Sequence, residues 1–330
     1  MIKNDHSWRT VTFHDAIQEA YDEEFSRDRN RIIVGENIEF GFPQTKITLP
    51  LLKEKYPERV LNHVPLVEEM LPGIALGMSI GGLRPTVQFN WPTFVALALD
   101  QLYRLGIWRY RMAETKGPGV IIRIGHNVHD TSGSELSASM LGVLFHLPNI
   151  KIVTPSYPYF AKGLLKTAFK TTDPVVFVEH RMLYENRGPI LEGEYKVPFG
   201  SSFVSKQGKD VTIITWMLGT FRAWDAAQKL AEEKIEVEIL SLQTLVPMDM
   251  NTILASVKKT GRVVILEDDM LRGGIGAEIA SRICESVPGT FVRRLGLQNV
   301  PLPPHPRFIP EVIPTVEKIS RACRELVSRG

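Results

Sequence analysis

Short runs of apolar, often β-branched residues alternate along the chain with stretches whose apolar positions recur at helical spacing. In the first half the runs predict strands at residues 31–35, 86–89, 120–124, 151–155 and 174–179. The stretches between them predict helices near residues 13–25, 69–80, 93–112, 135–145 and 157–171. Strands that are apolar almost throughout and separated by helices are typical of a parallel sheet covered on both faces.

The alternation pauses between residues 180 and 210, where glycines are frequent and few positions are periodic. It resumes with strands predicted at 211–216, 237–242, 263–267 and 290–295, and helices near 221–233, 249–259 and 277–285. The predicted fold class is therefore α/β, with two three-layer α/β domains that span residues 1–190 and 205–330.

Composition excludes several classes of protein. With 44% hydrophobic and 23% charged residues in 330, the chain is typical of soluble globular proteins. A formal net charge of +2 without a basic run does not favour nucleic acid or an anionic membrane as a partner. Cys284 and Cys323 lack metal-ligand spacing, which fits a reducing compartment. The start of the chain lacks a signal-peptide core, and no stretch approaches the roughly 20 apolar residues of a membrane span. We expect a cytoplasmic protein.

Glu68 lies just before a predicted helix that is otherwise apolar and small-sided. Pro72 falls in the first turn, where its missing N–H costs little, and Gly73, Gly77 and Gly81 recur at every fourth position. This spacing leaves bare backbone along one face, at a cost of roughly 1 kcal/mol per glycine relative to alanine. The positive helix end can hold the carboxylate and direct it into an interface. An ordinary acidic first turn on a packed helix fits the run equally well.

Common cofactor motifs are absent from the sequence. No GxGxxG follows the first strand, and neither GxxxxGK[ST] nor HExxH occurs, which excludes simple dinucleotide and P-loop sites. The run Arg272-Gly273-Gly274-Ile275-Gly276 opens a helix and could hold an anion. A tight turn from strand to helix explains the same run equally well.

Several long blocks, taken in order, resemble one known family. They are PERVLNHVPLVEEMLPGIALGMSIGGLRPTVQF with DQL, LPNIKIVTPSYPYFAKGLLKTAF, DPVVFVEHRMLY, SLQTLVPMDMNTILASVKKTGRVVILEDDMLRGGIGAEIASRI and RRLGLQNVPLP. The chain resembles the β subunit of the thiamine diphosphate-dependent first component of 2-oxo acid dehydrogenase complexes, in the transketolase-like superfamily. The resemblance implies a pyrimidine-binding domain followed by a domain of the transketolase C-terminal type.

The same resemblance assigns residues to a cofactor site. The family's essential carboxylate, five residues before the glycine of the GIA-type run, matches Glu68. In the family this glutamate hydrogen-bonds N1′ of the aminopyrimidine, which favours the imino form that deprotonates thiazolium C2. Leu66 matches a position that lines the aminopyrimidine, and Phe94, six residues before Asp100, matches an aromatic ring against it.

Three departures from the family pattern bear on the chemistry. Gln88, a candidate cofactor-binding residue, stands where the family has a glutamate, and the early glycine-rich loop differs over residues 35–43. Thirteen residues after Arg123, where the family has the histidine of its HSQ motif, this chain has Leu136. That histidine assists acyl transfer to a lipoyl arm, so its absence puts lipoyl transfer in doubt. His126 and His129 lie nearby and are candidate catalytic substitutes.

The family's GDG motif, which holds the diphosphate and Mg²⁺ on a separate α chain, does not occur here. A diphosphate in a shielded cleft needs a metal or strong cationic donors. We therefore expect an α partner in an α2β2 assembly, with thiamine diphosphate and Mg²⁺ held mainly by that α subunit. A lipoyl acyltransferase core is a further candidate partner.

The sequence thus predicts a β subunit that decarboxylates a 2-oxo acid or transfers a ketol or acyl unit. Leu136 favours a non-oxidative reaction with a free acceptor, while the specific substrate stays open. Two alternatives remain. One is the C-terminal half of a split transketolase that acts on sugar phosphates, and the other is a catalytically silent subunit for assembly or regulation.

Overall fold

The computed structural model describes residues 7–35, 38, 49–61, 67–114, 116–129 and 132–329. Contacts divide the chain into two compact units, one formed by residues 1–126 and 147–199 and the other by residues 127–146 and 200–330. The second unit therefore includes a segment that precedes the end of the first along the chain. The predicted domains, 1–190 and 205–330, treat each unit as continuous and do not separate residues 127–146.

The elements of the first unit alternate as an α/β pattern predicts. Its strands are β1 Trp8–Thr12, β2 Arg31–Gly35, β3 Val60–Leu61, β4 Arg84–Phe89, β5 Ile121–His126, β6 Lys151–Val153, β7 Val175–His180 and β8 Arg187–Leu191. Its helices are α1 Phe13–Arg27, α2 Pro50–Lys55, α3 Met70–Ile80, α4 Leu99–Arg111 and α6 Pro158–Ala168. Six strands lie in the order β6-β7-β5-β4-β2-β3, and each pairs in parallel with its neighbour. β1 and β8 form a separate antiparallel pair.

The second unit has a smaller sheet. The strands of this unit are β9 Ser202–Lys206, β10 Val211–Thr215, β11 Val237–Leu242, β12 Thr244–Val246, β13 Arg262–Met270 and β14 Phe291–Leu297, and all of them except β12 form this sheet. Its helices are α5 Leu141–Phe145, α7 Leu218–Glu232, α8 Met250–Thr260, α9 Ile275–Ser286, α10 Ile309–Val312 and α11 Val316–Val327. The order is β14-β13-β10-β11-β9, parallel except for β9 at the edge. Apolar side chains of α7 and α11 pack on the sheet as one buried core.

Local sequence explains where several helices begin and end. α1 begins at Phe13 because the Thr12 hydroxyl accepts a hydrogen bond from the backbone N–H of Asp15 at 3.0 Å. Asp249 caps α8 in the same way, and Gly261 ends it with a left-handed φ of 65°. Of the helices in the described ranges, none has the length and apolar character of a membrane span.

The prediction of a helix over residues 135–145 is wrong in its first half. Residues 134–140 form turns and irregular chain, and α5 begins only at Leu141. Polar side chains in this stretch bond to the backbone instead of leaving it to a helix. The Ser134 hydroxyl donates to the carbonyl of Leu302 at 2.7 Å, and the Ser139 hydroxyl accepts from the N–H of Leu141 at 3.3 Å.

Candidate active site

Glu68 lies in the turn that leads into α3, one residue before the residue that caps the helix, Glu69. Its side chain is half-buried, and within the described part of the chain its carboxylate makes no hydrogen bond or ion pair. The positive end of the helix stabilises a carboxylate at this position. Glu69, in contrast, is exposed. Glu68 is therefore the better placed of the two to accept a hydrogen bond from a bound group.

Phe94 lies in a 3₁₀ segment, Pro92–Ala96, just before α4. Its ring is half-buried, unlike that of neighbouring Val95, which is fully buried. An aromatic ring that keeps an open face can pack against a flat heterocycle. Leu66, the third residue expected to contact the aminopyrimidine, lies outside the described residues.

Helix α3 is apolar along its whole length but only partly covered. Leu71, Pro72 and Ala75 are buried, whereas Ile80 is 60% exposed. A Cβ added at Gly77 would meet no described atom within 4 Å. A helix that is apolar on all sides is normally enclosed, so this face is suited to a further protein surface.

A polar cluster lies at the carboxyl ends of β4, β5 and β7, inside otherwise apolar strands. The Arg123 guanidinium donates to both carboxylate oxygens of Glu179, with 2.9 Å from Nη2 to Oε2, and its Nη1 donates to the amide oxygen of Gln88 at 2.8 Å. The Tyr184 hydroxyl donates to Glu179 at 2.8 Å. All four side chains are buried. In parallel sheets, ligands bind beyond this edge.

The electrostatics of this cluster depend on Gln88 being neutral. Burial lowers the pKa of Arg123, but the combined effects of Glu179, Tyr184 and Tyr21 outweigh burial and raise that pKa. Glu179 already supplies the one negative charge that Arg123 needs, so the Gln88 amide accepts a hydrogen bond without adding a second. Gln88 was predicted to bind the cofactor, but the buried cluster that it forms with Arg123, Glu179 and Tyr184 was not predicted. The sequence does indicate a buried polar cluster, because the otherwise apolar runs VIIRIGH and VVFVEH each contain a charged residue.

The two candidate histidines lie in different units. His126 ends β5 in the first unit, is buried, and lies beside His180 with ring centroids 5.2 Å apart. His129 belongs to the second unit, where its Nε2 lies 3.0 Å from Asp268 and its Nδ1 lies 2.9 Å from Arg222. Both ring nitrogens of His129 are thus engaged.

The glycine-rich turn before α9 already holds a carboxyl group from its own chain. One Glu267 oxygen accepts from the N–H of Gly276 at 2.9 Å, and the other accepts from Arg294 at 2.7 Å. A Cβ at Gly274 or Gly276 would lie 2.6 Å or 2.5 Å from that carboxylate. These glycines therefore make room for Glu267 at the helix N-terminus, which favours the tight-turn interpretation over a phosphate site.

Glu267 should make stability depend on pH. Burial raises its pKa from 4.5 to about 7, although Gly276 and Arg294 oppose the shift. Between these two pH values the folded state holds a proton that the unfolded state releases. The contribution of Glu267 to the free energy of unfolding is therefore fully present below about pH 4.5 and is lost as the pH rises to about 7. We expect Glu267→Gln to flatten the fall in unfolding free energy across that window, as measured by urea titration. Glu278→Gln, on the exposed face of α9, is the control. An unchanged pH profile for Glu267→Gln would contradict the assignment.

Comparison with known proteins defines the class of this fold. The family model for the transketolase pyrimidine-binding domain matches residues 9–187, and that for the transketolase C-terminal domain matches residues 200–319. A structure described as a split gene transketolase, inactive beta4 tetramer, covers 96% of this chain and 98% of its own, with a TM-score of 0.75 and 22% identity. Transketolase from Leishmania mexicana aligns with 97% of this chain and 46% of its own, at a TM-score of 0.69 and 17% identity. The predicted fold class is confirmed.

Sequence relatives narrow the class. The chain is 33% identical to the acetoin:2,6-dichlorophenolindophenol oxidoreductase subunit beta of Cupriavidus necator, over 98% of this chain and 99% of the relative. It is 35% identical to the pyruvate dehydrogenase E1 component subunit beta of Staphylococcus epidermidis, over 83% and 85%. The chain belongs to the family of β subunits of the thiamine diphosphate-dependent first component of 2-oxo acid dehydrogenase complexes. The predicted family is confirmed.

Proposed function

We propose that this chain is the β subunit of a heteromeric thiamine diphosphate enzyme that decarboxylates a 2-oxo acid or transfers a ketol or acyl unit. The observation that carries the proposal is the half-buried Glu68 carboxylate, without a partner among the described residues, in the turn before α3. Its position matches the family's essential glutamate, and the relatives named above act on acetoin or pyruvate according to their names.

The residues of this chain would serve the pyrimidine half of the cofactor. When bound, thiamine diphosphate supplies a carbon nucleophile at C2 that attacks a carbonyl group. Glu68 would share a proton with the pyrimidine ring, Phe94 would pack against that ring, and Leu66 is assigned to the same contact by family resemblance. Gln88 would act indirectly, because its amide oxygen accepts a hydrogen bond from Arg123 in the buried polar cluster described above.

The diphosphate half requires a second chain. No GDG motif occurs in this sequence, so we assign the diphosphate and Mg²⁺ to an α subunit. The incompletely covered helix α3, where a Cβ at Gly77 would meet no described atom within 4 Å, supports a partner surface on the same helix that Glu68 precedes. The proposed assembly is α2β2.

The isolated chain should bind thiamine diphosphate with Mg²⁺ weakly and show no turnover, and co-expression with its α subunit should restore both. Calorimetric titration and a turnover assay measure these outcomes. Tight stoichiometric binding by the chain alone would contradict the proposal.

A matched pair of variants tests the location of the partner surface. Gly77→Ala should leave the fold and assembly intact, because its Cβ meets no described atom within 4 Å. Gly77→Phe should fold equally well yet fail to assemble with the α subunit, since a large side chain would separate the two surfaces. Size-exclusion chromatography of the co-expressed chains reports assembly. Normal assembly of Gly77→Phe would exclude this face.

Leu136 should prevent efficient acyl transfer to a lipoyl domain. The assembled enzyme is expected to form product with a free aldehyde or ketone acceptor, and to acylate a lipoyl domain far more slowly. Single-turnover assays with each acceptor measure the two rates. Rapid acylation of the lipoyl domain would show that His126, His129 or no histidine supplies the missing function, and would favour a lipoyl acyltransferase core as a partner.

The split-transketolase alternative rests on the structural likeness at a TM-score of 0.75. It predicts that the assembled enzyme transfers a ketol unit from a sugar phosphate. The higher identity to 2-oxo acid dehydrogenase β subunits, 33–35% against 22%, favours the first proposal. Assays with a ketose phosphate donor and with pyruvate or acetoin separate the two.

A further inference from the structure

Three consecutive acids lie next to the last residue of strand β13, and each contacts a different part of the second unit. Glu267 accepts hydrogen bonds at the start of α9, as described above. Asp268 contacts His129, and one Asp269 oxygen accepts from the N–H of Gly142 in α5 at 2.7 Å. Two of the three carboxylates therefore hold residues of the segment 127–146, which we call the inserted segment.

The His129 contacts determine the proton positions on its ring. Arg222 is only a donor, so His129 Nδ1, 2.9 Å from Nη2 of Arg222, must accept. Nε2, 3.0 Å from an oxygen of Asp268, then carries the proton and donates it. Protonating Nδ1 would direct an N–H group at another N–H group. Arg222 and Asp268 thus fix one neutral tautomer of His129.

Arg222, which contacts the His129 ring, is held in place by a backbone carbonyl. Arg222 Nη1 donates to the carbonyl of Pro314 at 3.2 Å, and burial lowers the pKa of Arg222 more than Asp268 and Asp225 raise it. The side chains of His129 and Asp268 are 4% and 2% exposed. Hydrogen bonds in such a buried setting constrain geometry strongly, because water cannot replace them.

The rest of the inserted segment is held by the same unit. Val128 packs with Leu297, Leu302 and Ile309 in a small buried apolar cluster. A Cβ on Gly142 would lie 2.8 Å from the carbonyl oxygen of Gly273, so α5 approaches that turn as closely as a glycine permits. Both ends of the inserted segment are therefore fixed by the second unit, on either side of Leu136.

We propose that Arg222 and Asp268 are positioning residues, which clamp His129 and thereby hold the inserted segment in the conformation that the reaction uses. His129 belongs to this clamp and exchanges no proton with substrate. The inference rests on the proposed function for its link to turnover, since Leu136 occupies the family's histidine position in this segment. The clamp itself is a property of the second unit alone.

Glutamine and leucine at position 129 distinguish a clamp from a proton carrier. A glutamine amide offers one acceptor and one donor, as the neutral imidazole does, but does not titrate; leucine offers neither. Hydrogen exchange by mass spectrometry on the full chain should show amides of residues 132–146 exchanging about tenfold or more faster in His129→Leu and Arg222→Met. His129→Gln should stay close to wild type. Asp225→Asn, an exposed carboxylate near Arg222, is the matched control and should change nothing.

Two further measurements complete the test. Long-range ¹H–¹⁵N NMR of histidine-labelled chain should show His129 as the Nε2–H tautomer in the wild type and lose that signature in Arg222→Met. In the assembled enzyme, kcat should fall far more for His129→Leu than for His129→Gln. Unchanged exchange in both His129→Leu and Arg222→Met would overturn the clamp. A glutamine variant that keeps the segment protected but loses turnover as fully as the leucine variant would make His129 a proton carrier instead. Neither exchange nor tautomer requires turnover, so failure of the proposed function is detected separately.

Discussion

Replacing Glu68 with glutamine should lower turnover of the assembled enzyme by about 10²–10⁴-fold, or roughly 3–5 kcal/mol of barrier. Glutamine keeps the size and hydrogen-bonding capacity of the side chain but removes the acid that shares a proton with the pyrimidine ring. Cofactor affinity should change little, because the diphosphate end supplies most of it. Exchange of the C2 proton, followed by NMR in the assembled complex, measures the step that Glu68 serves.

Glu69→Gln is the matched control for this prediction. Glu69, the residue that caps α3, is exposed, whereas Glu68 is half-buried. Its replacement should cost far less. If Glu68→Gln exchanges the C2 proton as fast as wild type, Glu68 is structural, and a silent assembly subunit becomes the better account of this chain.

The regular elements were predictable where burial governs the sequence. The strands predicted at 31–35 and 237–242 match β2 and β11, because parallel strands covered on both faces leave continuous apolar runs. Strands β8 and β9 were missed, since they lie in the stretch chosen as a domain boundary. Each carries exposed or half-buried positions that interrupt an apolar run.

The inserted segment could not have been recognised from local sequence. Its turns and irregular chain are held by hydrogen bonds to distant residues, such as Ser134 to Leu302 and Gly142 to Asp269. Its membership of the second unit depends on the same long-range contacts. Local propensity contains no information about partners more than a hundred residues away, so a contiguous boundary was the natural prediction.

The candidate site was also predictable only in part. Glu68 and Phe94 were assigned by family resemblance alone, and their roles stay predictions. Composition and spacing revealed only that a carboxylate precedes a glycine-lined helix. The Arg123–Glu179 pair could be recognised only from the strand order, because β5 and β7 are neighbours in the sheet although β6 lies between them in the sequence. The glycines before α9 likewise could not be explained from the sequence, because the Glu267 carboxyl group for which they make room lies beside them only in the folded chain.

Removing Arg123 should be among the most destabilising single changes in the first unit. Arg123→Met leaves the Glu179 carboxylate fully buried with the Tyr184 hydroxyl as its remaining donor among the contacts described above. An ion pair broken in this way costs about 3–5 kcal/mol, because the surviving charge keeps its desolvation penalty without its partner. Urea unfolding of the full chain, followed by far-ultraviolet circular dichroism, measures the loss.

Two controls decide whether the loss comes from the stranded charge. Arg109→Met breaks a more exposed contact, to Asp173, and should change the free energy of unfolding little. The double variant Arg123→Met with Glu179→Leu removes both charges and should recover much of the stability, because a buried ion pair is seldom worth more than apolar packing of similar volume. If the double variant is as unstable as Arg123→Met alone, the cost lies in packing around Arg123. In that case Gln88 and Tyr184, which contact the same pair, would be retained for shape and not for charge.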